Sequence, residues 1–461
     1  MKDYFRKLDE IVRIIGDRYF IDPTVEKVKG KEVQYWKILM NAFSYLGKKN
    51  TLLEGNPGSG KTTCSGVVSS ILSGLPFDLY DFLKITGHPD QTKDTMLSRV
   101  DLGRLAEEGV VWQPSLYLPA LTLDEINRLP PGKQSIFLEY IRTGAVEHLG
   151  KYFSRGKIPI FATMNYNGTG TYELPPPSLD RFDISLEFGA GPAWLQDIIR
   201  KAGRQIRKDL DNPAMTEEIV HLLMNKDKSK DEKIKFLQDK AKENNKRLND
   251  VLKKHDRNIN IPILEPIDTE AVDMPYSADA STFLRCIWDE INTSVLYGEN
   301  RSVDPRDKSS HNKDYGSAKV KGGISARSWD GIKFYASMLA RYFEADKVEI
   351  EHVQAVAPYC LAHRLQFDED YSAKSVEAVR KHGERQEQDL SRRLLKDIKD
   401  NYDKVEHDLK QIDKFLQEGE KASEALKNAV KGIIAKPQAD HPTLRHYCEF
   451  VNDNHKKELG I

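Results

Sequence analysis

At 461 residues the chain has room for two or three domains, and its 31% charged residues predict long exposed helices. Lys plus Arg number 70 against 71 Asp plus Glu, so no global charge draws the chain to nucleic acid or to an anionic membrane. Cys64, Cys286, Cys360 and Cys448 lie far apart without a Cys-x-x-Cys pair, which argues against a disulfide framework or zinc site and fits a reducing compartment.

No apolar run approaches the ~20 residues that span a bilayer. The N-terminal Met1-Lys-Asp-Tyr-Phe-Arg-Lys7 lacks the apolar core of a signal peptide, so a cytoplasmic location is expected. Residues 1–28 predict an amphipathic helix on Phe5, Leu8, Ile11, Val12 and Ile15, then a turn at Asp22-Pro23. Gly30 to Leu46 predicts a second helix, with Val33, Trp36, Ile38, Leu39 and Phe43 on or near one face.

The next stretch organises the rest. Thr51-Leu-Leu-Glu-Gly55-Asn56-Pro57-Gly58-Ser59-Gly60-Lys61-Thr62-Thr63 fits G-x-x-x-x-G-K-[ST], the phosphate-binding loop. Leu52 and Leu53 end an apolar run, as a buried parallel strand would. The glycines let the backbone turn tightly and aim its N–H groups at phosphate. Val67, Val68, Ile71, Leu72 and Leu75 then recur at helical spacing, so the loop opens onto a helix N-terminus, which favours an anion. Lys61 can reach the β- and γ-phosphates of a nucleoside triphosphate, and the Thr62 hydroxyl can coordinate Mg²⁺.

A strand is expected around Leu83–Thr86, a polar span over 87–109, and a short hairpin from Gly109–Trp112 and Ser115–Leu118. Pro119-Ala-Leu-Thr-Leu123-Asp124-Glu125 is an apolar strand ending in two acids. Downstream of a phosphate loop, that is the Walker B pattern. Asp124 would hold Mg²⁺ through water, and Glu125 would act as general base on the attacking water. A helix over Lys133–Thr143, a hairpin over 145–160 turning between Gly150 and Gly156, and a strand over Ile158–Thr163 follow.

Glu54-Gly-Asn-Pro-Gly58, Asp124-Glu-Ile-Asn-Arg128, Ala162-Thr-Met-Asn165, Gly170-Thr-Tyr-Glu-Leu-Pro175 and Leu179-Asp-Arg-Phe182 stand in one order over residues ~30 to ~190. Together they resemble the MoxR-type AAA+ ATPases. The resemblance implies that Asn165 is sensor 1 and that Arg181 is an arginine finger offered to a neighbouring subunit's nucleotide. A salt bridge from Arg181 to Asp180 or Asp183 is the structural alternative. The resemblance also puts an insert of the second helix within 87–109 and makes the 145–160 hairpin the pre-sensor hairpin, both near a ring axis. Ser325-Ala-Arg327 resembles the family's lid signature, which implies that Arg327 is sensor 2.

From Gly189 the pattern is helical. Trp194–Ile206 predicts one helix. Lys226–Arg257 is rich in charge, with sparse apolar anchors at Ile234, Leu237, Leu248 and Leu252. It reads as a solvated helical hairpin inserted in the lid, or else as a partner contact. Helices are expected over Phe283–Leu296, from Gly322 on, and over Glu349–Leu365, with a polar loop over Ser302–Gly316. Over 377–432, Leu390, Leu394, Ile398, Tyr402, Val405, Leu409, Ile412 and Leu416 recur at spacings of three and four. A coiled-coil seam and an intramolecular helical hairpin both satisfy that pattern. Pro437 and Pro442 precede a short last helix.

The expected organisation is therefore α/β. An N-terminal helix (1–28) precedes a P-loop AAA+ core with a parallel sheet (29–188). An all-α lid (189–367) with a charged insertion at about 208–265 and a helical extension (368–461) follow. The resemblance implies a ring, most readily a homohexamer, that uses ATP and Mg²⁺ to remodel or mature a protein client, often with a von Willebrand factor type A domain partner. Two other function classes stay open: a motor on nucleic acid, for which Lys151, Arg155 and Lys157 on the hairpin, set against Glu147, are a thin signal, and a nucleotide-gated scaffold.

Overall fold

Five parallel strands, β3 (Asn50–Gly55), β4 (Ile85–Thr86), β7 (Leu121–Asp124), β10 (Ile160–Met164) and β11 (Ile184–Phe188), form the sheet on which the site is built, in the order β11-β3-β10-β7-β4. The structure, a computed structural model, describes all residues except 91–95, 101–109, 149, 167–169, 190–192, 255–258, 294–313, 374–385, 436–440 and 460–461. It divides into two units, Met1–Val272 and Asp273–Ile461.

In the first unit, α1 (Lys2–Ile14) buries Phe5, Leu8, Ile11 and Val12 as its spacing predicts. The expected helix from Gly30 does not start there. β1 (Val25–Val28) and β2 (Lys31–Gln34) form an antiparallel hairpin, with Val28 opposite Lys31. Its two turn residues, Lys29 and Gly30, have φ of 52° and 76°, the backbone that fits the twist of a tight hairpin. α2 (Trp36–Leu46) begins only where the Asp22 carboxylate accepts from the Lys37 N–H at 2.8 Å and the Ile38 N–H at 3.3 Å. An acid from outside the helix thus satisfies its first donors.

β3 (Asn50–Gly55) is buried at every position, and α3 (Lys61–Ser73) follows its loop. After α4 (Phe77–Leu83) comes the edge strand β4 (Ile85–Thr86). β5 (Ser98–Val100) pairs antiparallel with β6 (Val110–Trp112). Trp112 therefore has a different partner from the one expected, and Pro114–Tyr117 is a 3-10 turn. Most of the polar span at 87–109 lies outside the described residues. β7 (Leu121–Asp124) and α5 (Pro131–Thr143) match their patterns. β8 (Ala145–His148) and β9 (Lys151–Ser154) form the expected hairpin, with His148 opposite Lys151 and Gly150, φ 73°, in its turn. β10 (Ile160–Met164) and β11 (Ile184–Phe188) complete the sheet. Strands covered on both faces need apolar residues throughout, which is why they read as runs without alternation.

α6 (Ala193–Asp209), α7 (Pro213–Met224) and α8 (Lys230–Lys253) belong to this unit too. The expected charged hairpin over Lys226–Arg257 is instead a single 24-residue helix, α8, opened by a capping box between Ser229 and Glu232. It is tied to its surroundings through amides. The Asn244 Nδ2 donates to Gly74 O at 2.9 Å, and Arg247 Nη2 donates to Asp209 O at 3.0 Å. Asn249 both accepts from Ile261 N at 2.6 Å and donates to Ile261 O at 2.8 Å.

The second unit contains α9 (Ala278–Asn292), α10 (Ala326–Tyr342), α11 (Ile350–Leu361), α12 (Gln386–Glu418), α13 (Glu424–Ala435) and α14 (Pro442–Asn454). α12 packs on α9 and α11 and buries Leu390, Leu394, Ile398, Tyr402, Leu409, Ile412 and Phe415. The seam with spacings of three and four is covered by this chain's own helices, as in the intramolecular reading. The expected lid at 189–367 is divided at 272/273, and its latter part shares a core with the expected extension at 368–461. The polar loop expected over 302–316 lies, through residue 313, outside the described residues.

Candidate active site

Parallel strands deliver their C-terminal ends to one edge of the sheet, so the residues just after β3, β7 and β10 gather there. The loop after β3 runs from Gly55 through Asn56, Pro57, Gly58, Ser59 and Gly60 into α3, which starts Lys61-Thr62-Thr63. Gly58 and Gly60 have φ of 77° and 88°, where side chains are strained. Gly55 is excluded from change by contact: a Cβ there would lie 2.1 Å from the Phe188 carbonyl oxygen of β11.

Lys61 is buried, and its ammonium donates to Gly55 O and Asn56 O, each at 2.8 Å, and to Asn165 Oδ1 at 2.9 Å. Burial lowers its pKa, while the charges of Asp124 and Glu125 act in the opposite direction. The Thr62 hydroxyl donates to Asp124 Oδ1 at 2.8 Å, and the Thr163 hydroxyl donates to the same oxygen at 2.7 Å. Thr163 Oγ1 in turn accepts from Glu125 N at 2.8 Å. One hydroxyl on β10 therefore fixes both acids at the end of β7.

Glu125 has a left-handed backbone, φ 52° and ψ 49°, which is uncommon for a residue with a Cβ and costs on the order of 1 kcal/mol. The turn after it is closed by Arg128 N donating to Glu125 O at 2.9 Å. Gly87 makes room alongside, since a Cβ there would come within 2.3 Å of Glu125 O. The carboxylate is held on both sides. Asn165 Nδ2 donates to Oε1 at 2.6 Å, and Arg128 Nε sits 2.9 Å from Oε2. Asn165 thus bridges Lys61 and Glu125 with the two ends of one amide. Asn127 clamps that bridge: its Nδ2 donates to Asn165 O at 2.9 Å, and its carbonyl accepts from Tyr172 N at 2.7 Å.

The structure therefore joins Lys61, Thr62, Asp124, Glu125 and Asn165 into one bonded cluster. Thr163, Asn127 and Arg128 position that cluster. Nothing in the sequence assigns them that role, although each stands inside one of the motifs, two or three residues from Glu125 or Asn165. Phe20, from the segment after α1, was missed without any motif to flag it. Its ring lies 3.1 Å from where a Gly60 Cβ would stand and packs edge-on to Phe188 at 6.2 Å.

Arg181 is not bonded to the cluster. Its Nη1 donates to Pro177 O at 2.9 Å. Asp183, one of its alternative partners, accepts from Asn50 N at 2.8 Å and lies 3.7 Å from Lys49 Nζ. Arg327 lies in the second unit, exposed in the first turn of α10.

The donor set suits the groups the motifs imply. The Thr62 hydroxyl and the Asp124 carboxylate are hard oxygen ligands of the kind Mg²⁺ takes with waters and phosphate oxygens. A buried ammonium ringed by three oxygens can exchange some of them for phosphate oxygens without losing hydrogen bonds.

No protein-family model matches the sequence, and no curated protein is similar to it. Among solved structures, the chain is similar to a "putative ATPase" from Cytophaga hutchinsonii. The identity is 17%, 82% of this chain and 94% of that chain are covered, and the TM-score is 0.48. A likeness that slight carries no weight for activity. The four cysteines are buried and free, and among the described residues no helix is long and apolar enough to cross a membrane.

Proposed function

We propose that this chain is a Mg²⁺-dependent ATPase of the AAA+ kind, similar to the MoxR type, acting in the cytoplasm as a homohexameric ring to remodel or mature a protein client. The observation that carries the catalytic half of this reading is the Asn165 amide, which bonds at once to Lys61 and to Glu125. A phosphate-binding cation and a candidate base are thereby set at a fixed separation by one planar group. That is what in-line attack of water on a terminal phosphate requires.

In this reading Lys61 neutralises the β- and γ-phosphates, and the Gly55–Gly60 backbone cradles them. Thr62 and Asp124 would hold Mg²⁺, which supplies positive charge to the phosphate oxygens. Glu125 accepts a proton from the attacking water, while Arg128 and Asn165 keep its carboxylate aimed. Arg181 would act on a neighbouring copy's nucleotide, and by the same family resemblance Arg327 would serve as sensor 2. A von Willebrand factor type A domain protein as partner rests on the family resemblance alone.

One observation favours a protein client over nucleic acid. Arg155 is turned inward from the end of the β8–β9 hairpin. Its Nε donates to Tyr117 O at 3.1 Å, and burial lowers its pKa. That leaves Lys151 and Lys157 as the hairpin's exposed cations, too few for a phosphate-tracking surface.

The test uses two variants. Glu125→Gln should bind ATP but lose roughly 10²–10⁴ in turnover. Arg181→Ala should bind ATP and hydrolyse it more slowly, by about 10³–10⁵. Mixing the two should restore part of the activity, because some interfaces then carry both Glu125 and Arg181. Undiminished hydrolysis by Glu125→Gln would remove the base assignment. Verified mixed assemblies without recovery would remove the shared site.

A further inference from the structure

The charged helices of this chain differ in whether their cations find a partner. α1 pairs Arg6 and Lys7 with Asp3, and Arg13 with Asp9. In α8, Lys240 pairs with Glu243 and with Glu218 of α7. α12 pairs Lys399 with Asp403 and Lys410 with Glu406. α6 differs. Residues 198–208 hold five cations and no acid. Arg200, Arg204 and Lys208, at i, i+4 and i+8, form one row about 12 Å long, with Lys201 beside it. All four are exposed, and among the described residues none of them makes an ion pair or a side-chain hydrogen bond. Burial raises the pKa of Asp211 to about 6 and the charge of Arg207 opposes that rise, so the fifth cation has a partner. The other side of the helix is the docked one, with Leu195, Ala202 and Ile206 buried. Ile198 and Ile199, 40% and 41% exposed, adjoin the row.

The same unit carries a surface of opposite sign. From Ile259 to Val272 the chain has three acids, Glu265, Asp268 and Glu270, and no Lys, Arg or His. All three are exposed, and among the described residues none makes an ion pair. The half-buried Ile267 stands between them, and its N–H donates to Leu46 O at 2.8 Å, which fixes the backbone there. The two surfaces are too far apart to meet within one copy. α1 and the π-helical turn after it (Ile15–Tyr19) run between them. Near the start of that run the Tyr4 hydroxyl donates to Glu265 O at 2.7 Å, and at its end the Tyr19 hydroxyl donates to Asp209, the residue after Lys208, at 3.1 Å. The helical path from Tyr4 to Tyr19 covers about 20 Å, more than two Debye lengths at physiological salt.

We infer that α6 docks on the Glu265–Glu270 segment of a second copy of this chain, the cation row of one copy against the acids of the next. The two surfaces are opposite in sign, each sets its charges beside an aliphatic side chain, and the charges of neither are paired within their own copy. A contact between two different surfaces of one chain is head-to-tail, so it closes into a ring or propagates. The inference rests on the ring reading above for closure and not for the contact itself. Exposed ion pairs are individually weak, so the contact selects partner and register more than it supplies strength, and it fades with salt.

The test is sedimentation equilibrium of the full-length chain at low salt, with Mg²⁺ and a non-hydrolysable ATP analogue. One variant reverses the cations (Arg200→Glu, Lys201→Glu, Arg204→Glu) and another reverses the acids (Glu265→Lys, Asp268→Lys, Glu270→Lys). Each should self-associate about ten-fold or more weakly than the unaltered chain, because its two surfaces now carry the same sign. All six positions are exposed, so both variants keep the fold, which circular dichroism checks. Mixed in equal amounts, the two variants should assemble again, since every contact between them joins opposite signs. Unchanged assembly of either variant, or no recovery on mixing, overturns the inference and leaves the ring to other contacts. A chain that never self-associates removes both the contact and the ring. Assemblies that depend on the two surfaces but grow without closing keep the contact and remove the ring. Should the cation-reversed chain assemble normally but lose binding to a fluorescein-labelled DNA duplex, α6 is a phosphate surface and the inference falls.

Discussion

The two units of this chain are unequally readable from sequence. In Met1–Val272 the decisive positions tolerate almost no other residue. Gly55 cannot take a Cβ against Phe188 O, Gly60 needs its left-handed backbone, and a buried cation must stand at Lys61 to face the Gly55 and Asn56 carbonyls. Chemistry fixes residue identity there, so identity in sequence points back to chemistry. In Asp273–Ile461 the positions that matter most are core sites such as Leu394, Ile398, Ile412 and Phe415. A core site asks for an apolar side chain of about the right volume and leaves open which surface covers it. The difference teaches that a motif announces a site, whereas a periodic pattern announces only a face.

The largest effect that would break this comparison is at Lys61. Lys61→Ala removes the cation that the Gly55–Gly60 loop closes around, and ATP binding should be lost in an equilibrium assay. The rest of the chain should be untouched, with an unchanged far-UV circular dichroism spectrum. A variant that binds ATP as tightly as the unaltered chain would show that the loop is not the phosphate site.

Next in size is removal of α12 onward. The sequence placed every nucleotide motif upstream of residue 377, which made the C-terminal helices look like an appendage. The structure packs α12 against α9 and α11, so ending the chain at residue 385 uncovers the apolar faces of helices in the same unit as Arg327. The truncated protein should lose more helix than the deleted segment contains, and limited proteolysis should cut within 273–385. If the spectrum loses only the deleted helices and 273–385 resists protease, the C-terminal helices are an appendage after all.

Parts of the first unit were as hard to read as the second, for physical reasons that particular residues show. Lys31-Glu-Val-Gln34 has a single apolar residue, which fits a helical face as readily as a strand. What decides in favour of the hairpin is the turn at Lys29-Gly30 and the distant Asp22 carboxylate that fixes the start of α2 at Trp36. Ser98–Val100 could not be found as the partner of Val110–Trp112, because two three-residue strands carry too little pattern. By contrast Asp124, Glu125 and Asn165 were legible, and so was the parallel sheet that brings them together. What their order in the chain could not show is that Thr163 fixes both acids and that Asn127 clamps Asn165.

A smaller and purely structural effect sharpens the contrast between site and core. Phe415 is fully buried in α12, and Phe415→Ala should cost about 3–5 kcal/mol of the second unit's stability through lost burial and the cavity left behind. It belongs to a different unit from Lys61, Asp124, Glu125 and Asn165. Chemical denaturation followed by Trp emission should therefore show a lowered midpoint, while ATP affinity under native conditions holds. A ten-fold loss of ATP affinity in the still-folded variant would mean that the two units cannot be considered apart.

The smallest effect concerns α8, where composition misled most. Its charge predicts solvent on most sides, and for Lys235 or Lys246 the prediction is right, since both are exposed. Asn249 sits in the same charged run but is buried, and its amide makes both hydrogen bonds of a backbone strand partner to Ile261. Replacing Asn249 with Ala leaves the buried N–H of Ile261 unsatisfied, while the Ile261 carbonyl keeps the Asn245 Nδ2 donor at 3.1 Å. Such a loss costs about 1–3 kcal/mol, whereas exposed substitutions away from such features fall within about 0.5 kcal/mol. Denaturation midpoints of Asn249→Ala, Lys235→Ala and Lys246→Ala should therefore separate, with only the first lowered. Should all three coincide with the unaltered chain, α8 is held by its apolar stripe of Leu237, Leu248 and Leu252 alone, and its side-chain hydrogen bonds to the rest of the first unit contribute nothing.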